Sequence, residues 1–240
     1  MKNLSYYFLP AMLIVSTATA TTVTWDASSN LFPNQITPPW TLFDAATPEN
    51  PVLSGGALTL ATSGLETLLY RMTGSQLSVP AILDITFTLR FVSGSAGVTR
   101  GASGVGFYPA PNVGNNLWFE TDTIFLNGPG DVRGPSVALD TDGAFHDYEI
   151  QIIGGTVGST INVFQDTILV LSGALIAQSS ADADINWGCL TESASGSAQW
   201  KSFSHNAAVP EPGTCGLLTG GLLIVASRGW RRPGNVWYQL

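Results

Sequence analysis

Hydrophobic and polar positions repeatedly alternate along this 240-residue chain with a period of two. In "ILDITFTLRFV" (82–92), Ile85, Phe87, Leu89 and Phe91 fall on one side and Asp84, Thr86, Thr88 and Arg90 on the other. A strand sends successive side chains to opposite faces, so the stretch predicts a strand with one face buried and one wet. "FHDYEIQI" (145–152) repeats the pattern, setting His146, Tyr148, Ile150 and Ile152 against Asp147, Glu149 and Gln151. "STINVFQDTILVLSG" (159–173) reads as two short strands around Asp166. Further candidates are "TVTWD", "WTLFD", "ALTLAT", "TLLYRM", "GVGFY", "NLWFE", "TIFLN", "SVALD", "DINWG" and "AQWKSF". Gly, Pro, Asn or Asp separates them at nearly regular intervals, helical periodicity is weak, and no internal repeat is visible. So many strands in one domain predict an all-β fold, an antiparallel jelly-roll sandwich of two large packed sheets.

Composition supports this and narrows the partners. Charged residues are only 11% of the chain, while glycine (26) and proline (14) are plentiful, which disfavours a helical bundle. Between residues 21 and 209 there are sixteen acidic residues against five basic ones, a net charge of −11. Phosphate binding needs a basic footprint, so nucleic acid is excluded as a partner. Cys189 is expected as a small buried strand residue, and no zinc spacing or disulfide framework is present.

The two ends read as sorting segments. Lys2, the apolar "YYFLPAMLIV" and the small residues "ATA" form a signal helix over 1–20, cleaved after Ala20, so export machinery and signal peptidase are expected partners. At the other end, Pro210 and Pro212 bar helix around Glu211. An apolar run over 213–227 follows, at the short limit for a helix crossing a bilayer, then Arg228, Trp230, Arg231 and Arg232. Basic residues held on the cytoplasmic side leave the preceding domain outside.

This order of Pro210-Glu211-Pro212, apolar run and "RGWRRP" resembles the PEP-CTERM sorting domain of Gram-negative bacteria. The resemblance implies transient anchoring in the inner membrane and then processing by an exosortase-type enzyme. The protein is thereafter expected at the cell surface or outside the cell. Cys215 in the apolar run and "GNVWYQL" beyond the arginines depart from that pattern. The expected organisation is a signal peptide over 1–20, a β-sandwich over 21–206, a sorting segment over 207–233 and a short tail over 234–240.

"TDGAFHDYEIQIIGG" followed by "INVFQDTILVLSG" resembles laminin-G and concanavalin A-like jelly rolls. Asp142, Gly143, Phe145, His146 and Asp166 match, whereas Thr167 stands where a glycine is expected. The motifs are structural and speak to fold before function.

Candidate chemistry is sparse. In "WFETD", Glu120 and Asp122 are expected to project from one strand face beside Trp118, a carboxylate pair suited to ligand binding. Endo-β-glucanases that resemble this fold use Glu-x-Asp-x-x-Glu, but the third position here is Phe125. Without that acid the leaving oxygen has no proton donor, unless a loop residue such as Asp131 supplies one. Asp140 and Asp142 in "LDTDG" offer oxygen donors to calcium, or simply make a turn. His146 is expected as a hydrogen-bonded core residue, and His205, near the end of the last strand, has no visible Ser or Cys partner. Trp40 and Trp118 are candidates for a sugar-stacking surface among mostly buried tryptophans. No catalytic residue is assigned. The expectation is a non-enzymatic surface or matrix module, either binding extracellular polysaccharide or simply structural, with a polysaccharide hydrolase or lyase on the same jelly roll as the alternative.

Overall fold

The computed structural model describes residues 22–44, 50–63, 67–95, 99–191 and 194–209. The expected signal helix, the step at Pro210, Glu211 and Pro212, the apolar run over 213–227 and Arg228, Arg231 and Arg232 lie outside these residues. Among the described residues the only helical segments are three short 3-10 turns, and no helix is long and apolar enough to cross a membrane.

Strands β1 (Val23–Asp26), β2 (Thr41–Asp44), β3 (Val52–Ser54), β4 (Ala57–Thr62), β5 (Leu68–Thr73) and β6 (Ile82–Gly94) come first. They are followed by β7 (Ser103–Ala110), β8 (Val113–Glu120), β9 (Thr123–Gly128), β10 (Val132–Ala138) and β11 (His146–Ile153). The last are β12 (Thr160–Gln165), β13 (Ile168–Ala174), β14 (Ile176–Ala177), β15 (Asp184–Cys189) and β16 (Gly196–His205). One antiparallel sheet has the order β13-β12-β11-β6-β16-β4-β3, with β1 also on β16. The other runs β10-β9-β8-β7-β15-β5-β2, with β14 on β8. The two pack face to face, the all-β sandwich that the alternation predicted and an arrangement consistent with a jelly roll.

The register explains the buried side. Tyr148 pairs with Phe87, Ile150 with Ile85 and Ile152 with Leu83, so the apolar halves of both patterns point into the space between the sheets. Trp187 on β15 is the centre of that space. It stacks on Phe203 with centroids 5.0 Å apart and lies 4.9 Å from Trp200, 5.4 Å from Trp25 and 5.2 Å from Tyr70. Such ring pairs add about 0.5–1.5 kcal/mol each beyond the burial of their area. Cys189 closes the same core from β15, as expected of it.

Two boundary features follow from local chemistry. The β12–β13 hairpin turns on Asp166 and Thr167, both left-handed with φ of 50° and 71°. That is the geometry of a tight hairpin loop, held here without the usual glycine. At the far end, Ala207 is fully buried, and Ala208 exchanges backbone hydrogen bonds with Ser78. Residues 207–209, which the sequence groups with the sorting segment, therefore contribute to the packed fold.

Candidate functional site

β7 carries Gly104, Gly106 and Tyr108 toward the outside of the sandwich, while Val105 and Phe107 enter the core. Strand register sets Gly106 beside Asn116 of β8 on one flank and Asn186 of β15 on the other. A Cβ at position 106 would lie 2.3 Å from Asn186 Oδ1 and 2.8 Å from Asn116 Oδ1. The absence of a side chain is what lets both amides lean over the central strand. At Gly104 a Cβ would meet the Leu117 carbonyl at 2.5 Å and the Trp118 ring at 3.2 Å. Asn116 and Asn186 line a cavity of about 450 Å³ that adjoins a second of about 300 Å³, the two sharing Leu69, Tyr108, Ser179 and Asn186.

The walls are a hydrogen-bonded polar network. The Tyr108 hydroxyl donates to Asn116 Oδ1 at 3.1 Å. The Trp118 indole N–H donates to Asn127 Oδ1 at 2.6 Å, and the Asn127 amide donates to Asp131 Oδ1 at 3.0 Å. Arg100 holds the other oxygen of Asp131. At the opposite end, Arg71 Nε donates to Asp184 Oδ2 at 2.6 Å, and Asn186 Nδ2 donates to Asp184 Oδ1 at 3.3 Å. Behind the wall, buried Asn115 accepts from the backbone N–H of Asn116 at 2.7 Å and of Asn127 at 2.9 Å. It also donates to the Asn127 carbonyl at 3.1 Å and so fixes β8 against β9. The buried Asn115 part of this network fixes the wall, while Gln178 Nε2, also in the lining, is buried with no hydrogen-bond partner among the described residues.

Burial governs the local electrostatics. It pushes the Asp184 carboxyl above the usual aspartate range, with the hydrogen bond and charge of Arg71 opposing it. Burial also pushes the Tyr108 phenol up, so its hydroxyl stays protonated near neutral pH.

The structure regroups the residues that the sequence singled out. Trp118 lines the larger cavity but is only 2% exposed, so its ring is wall and offers no open stacking platform. Trp40 belongs to the inter-sheet core. Glu120 ends β8 and accepts a hydrogen bond from Arg133 Nη1 at 3.0 Å, while the Arg133 guanidinium lies 4.0 Å from the Phe125 ring centre. Asp122 is not two residues along the same strand, as the spacing suggested. The chain turns after Glu120, and Asp122 adopts a left-handed conformation with φ of 56°, which aspartate tolerates in tight turns. The expected one-faced carboxylate pair is therefore not formed.

Instead Asp122 joins Asp140 and Asp142. Ligand atoms of all three exposed carboxylates lie within 4.8 Å of one another and could hold a metal ion. The sequence offered Asp140 and Asp142 for this and missed Asp122. The loop is also tied by its own turn, since Asp140 Oδ1 accepts from the backbone N–H of Asp142 at 3.2 Å and of Gly143 at 2.8 Å.

The histidines separate as well. His146 is not a core residue but sits half-buried at the mouth of β11, its Nδ1 2.7 Å from Asp166 Oδ2. That contact anchors the β12–β13 turn and holds the Asp166 carboxyl below its usual range. His205 is buried against Trp40, with centroids 5.4 Å apart. Asp131, which the sequence raised only as a loop acid, lines the larger cavity, and Asp184 lines the smaller. Asn116, Asn186 and Tyr108 were missed. The one available signal was the "GVGFY" strand, where alternating glycines mark a close approach.

No family model matches the chain, and no curated protein matches it either. Among solved structures it is similar to the receptor binding domain of botulinum neurotoxin D, at 10% identity and a TM-score of 0.49, covering 87% of this chain and 54% of that one. It is similar to an endo-1,3-beta-glucanase from Streptomyces sioyaensis at 11% identity and a TM-score of 0.48, over 73% of this chain and 91% of that one. A prokaryotic beta-1,3-1,4-glucanase from a mouse hindgut metagenome matches at 11% identity and a TM-score of 0.48, over 78% and 99%.

Proposed function

We propose that this is an exported surface or matrix protein whose sandwich binds extracellular polysaccharide without cleaving it. The observation that carries the reading is the groove on the second sheet, where the Asn116 and Asn186 amides converge over Gly106 between polar walls. Each amide offers donors and an acceptor at fixed positions, which suits a ligand made of hydroxyl groups. The cavity volume also falls in the usual range for ligand sites, about 300–1,000 Å³. Calorimetry of the full chain with polysaccharides, against the Asn116→Ala, Asn186→Ala double variant, tests it. Binding that weakens at least about tenfold in the variant supports the reading, and no binding by the wild type removes it.

Binding without turnover is the more specific part. Glycoside cleavage needs two carboxyl groups set across the scissile bond, one to give a proton and one to attack or activate water. The two carboxylates of this groove, Asp131 and Asp184, are each committed to an arginine. A hydrolase or lyase is the second reading, and one observation favours it: burial raises Asp184, as a general acid requires. New reducing or unsaturated ends that appear with wild type and vanish with Asp184→Asn would replace binding with turnover.

The route to the surface rests on the terminal segments. Pro210, Glu211 and Pro212, the apolar run and the arginines stand in the order of a PEP-CTERM signal, which supports transient inner-membrane anchoring and exosortase-type processing. Intact mass spectrometry of the released protein is expected to find the tail removed, and Glu211→Ala is expected to slow release. Calcium is an accessory of this reading and not its basis. Asp122, Asp140 and Asp142 supply the hard oxygen donors it takes, and a calcium titration with Asp140→Asn as control decides it.

A further inference from the structure

Among the described residues, each arginine on the outer face of the second sheet has a carboxylate partner on that face. Arg71 is paired with Asp184, Arg100 with Asp131, and Arg133 with Glu120. The first two pairs stand at the two ends of the groove, Arg100 and Asp131 in the larger cavity and Arg71 and Asp184 in the smaller. Between them lie uncharged groups only, chiefly Asn116, Tyr108, Asn186 and Ser179, with Tyr108 kept protonated by burial. Each half of the groove therefore carries no net charge. Around it, the body of the chain is acidic, with sixteen acidic residues against five basic ones between positions 21 and 209. A polyanion approaching the groove meets a repelling field and only cations that already hold a carboxylate.

The groove is also longer than one sugar. Its lining passes from Trp118 on β8, through Tyr108 on β7, Asn186 on β15 and Leu69 on β5, to Phe43 on β2. Neighbouring strands lie about 4.8 Å apart, so these four inter-strand steps span on the order of 20 Å.

We infer that the groove takes an internal stretch of an uncharged polysaccharide, laid across the strands with Asn116 and Asn186 as its central hydrogen-bonding pair. The inference rests on the polysaccharide-binding reading above and narrows it to neutral, chain-internal ligands. Charge on the ligand is excluded by the paired arginines, and chain length is what fills both cavities.

The test uses the full chain in calorimetry with two ladders, neutral gluco-oligosaccharides and oligouronates, each from one to six units. Affinity for the neutral ladder is expected to rise at least about tenfold from the monosaccharide to the tetrasaccharide. It should change less than about twofold between low and high salt, since no ion pair with the ligand is screened. The oligouronates are expected to bind at least about tenfold more weakly. Asp131→Asn, which strips Arg100 of its partner, is expected to narrow that gap and to make oligouronate binding fall with salt. Oligouronates that bind the wild type best, with strong salt dependence, overturn the neutral class while leaving polysaccharide binding in place. Full affinity for the monosaccharide overturns the chain-internal part. Silence from both ladders removes the underlying reading itself. A thermal melt of each variant, with Asn186→Ala as a second probe of the groove, separates lost binding from lost fold.

Discussion

Asn116 and Asn186 face each other across Gly106, although they stand on different strands and far apart in the chain. Their carbonyl oxygens occupy the space where a side chain at 106 would begin. This relationship places both amides on the lining of the larger cavity, beside Ala177, Gln178 and Ser179. It needs three residues at once: a glycine on the middle strand and one amide on each neighbour, all in register.

Gly106→Ala is the direct probe of that arrangement. The new Cβ falls 2.3 Å from Asn186 Oδ1, well inside contact, so the amide must swing away or β7 must shift. Overpacking of this kind costs about 1–3 kcal/mol. The expected outcome is a folded protein with a lowered melting temperature and at least about tenfold weaker binding of a neutral oligosaccharide. A variant that binds as the wild type does would show that the amides are not the contact.

The core makes a different prediction. Trp187 touches Trp25, Trp40, Tyr70, Trp200 and Phe203 and is fully buried. Trp187→Ala removes the ring that joins the two sheets and leaves a cavity, a loss of about 3–5 kcal/mol. Urea denaturation followed by near-ultraviolet circular dichroism reads it. Trp118→Ala gives a useful contrast, because Trp118 is held on the outer face through Asn127 and should affect binding along with stability.

The hairpin at Asp166 and Thr167 carries strain that the sequence announced. Thr167 is β-branched and stands at φ of 71°, where such residues are rarely found. Left-handed strain costs about 1–3 kcal/mol, and glycine relieves it at an entropic cost of about 0.5–1 kcal/mol. Thr167→Gly is therefore expected to raise stability by roughly 1 kcal/mol. A shift of the urea midpoint to higher concentration with an unchanged slope would bear this out.

What the sequence made legible was local. Alternation over residues 82–92 and 145–152 is a property of one strand, and it correctly placed Phe87, Tyr148 and their neighbours in the core. The site depends on register between strands that are not adjacent in the chain, and no single stretch encodes that Gly106 will stand between Asn116 and Asn186. Asp122 failed for a related reason. Its spacing from Glu120 fits a strand, and only the turn shows that it leaves the face and meets Asp140. Asp131 was named for its chemistry alone and reaches the groove because the β9–β10 turn and Arg100 hold it there. Charge counting says nothing of position either, and only the fold shows that Arg71, Arg100 and Arg133 are each held by a carboxylate of their own face.

The last prediction concerns acid. Burial pushes the pKa of His205 down from 6.5 to about 4. In the unfolded chain this histidine titrates near its ordinary value, about 6.5. Above that pH it is neutral in both states and contributes no pH dependence. Between 6.5 and about 4 the unfolded chain takes up the proton and the folded one does not, so stability falls as the pH drops. Each tenfold difference in proton affinity between the two states is worth about 1.4 kcal/mol, so the loss approaches roughly 3 kcal/mol near pH 4 and then levels off. His205→Leu keeps a similar volume against Trp40 and cannot titrate, so its stability should be flatter over the same window. Urea unfolding of both proteins at pH 7.5 and 4.5 gives the comparison, and the carboxylates common to both cancel in the difference. Parallel pH profiles for the two proteins would mean that the buried ring accepts its proton in the folded state.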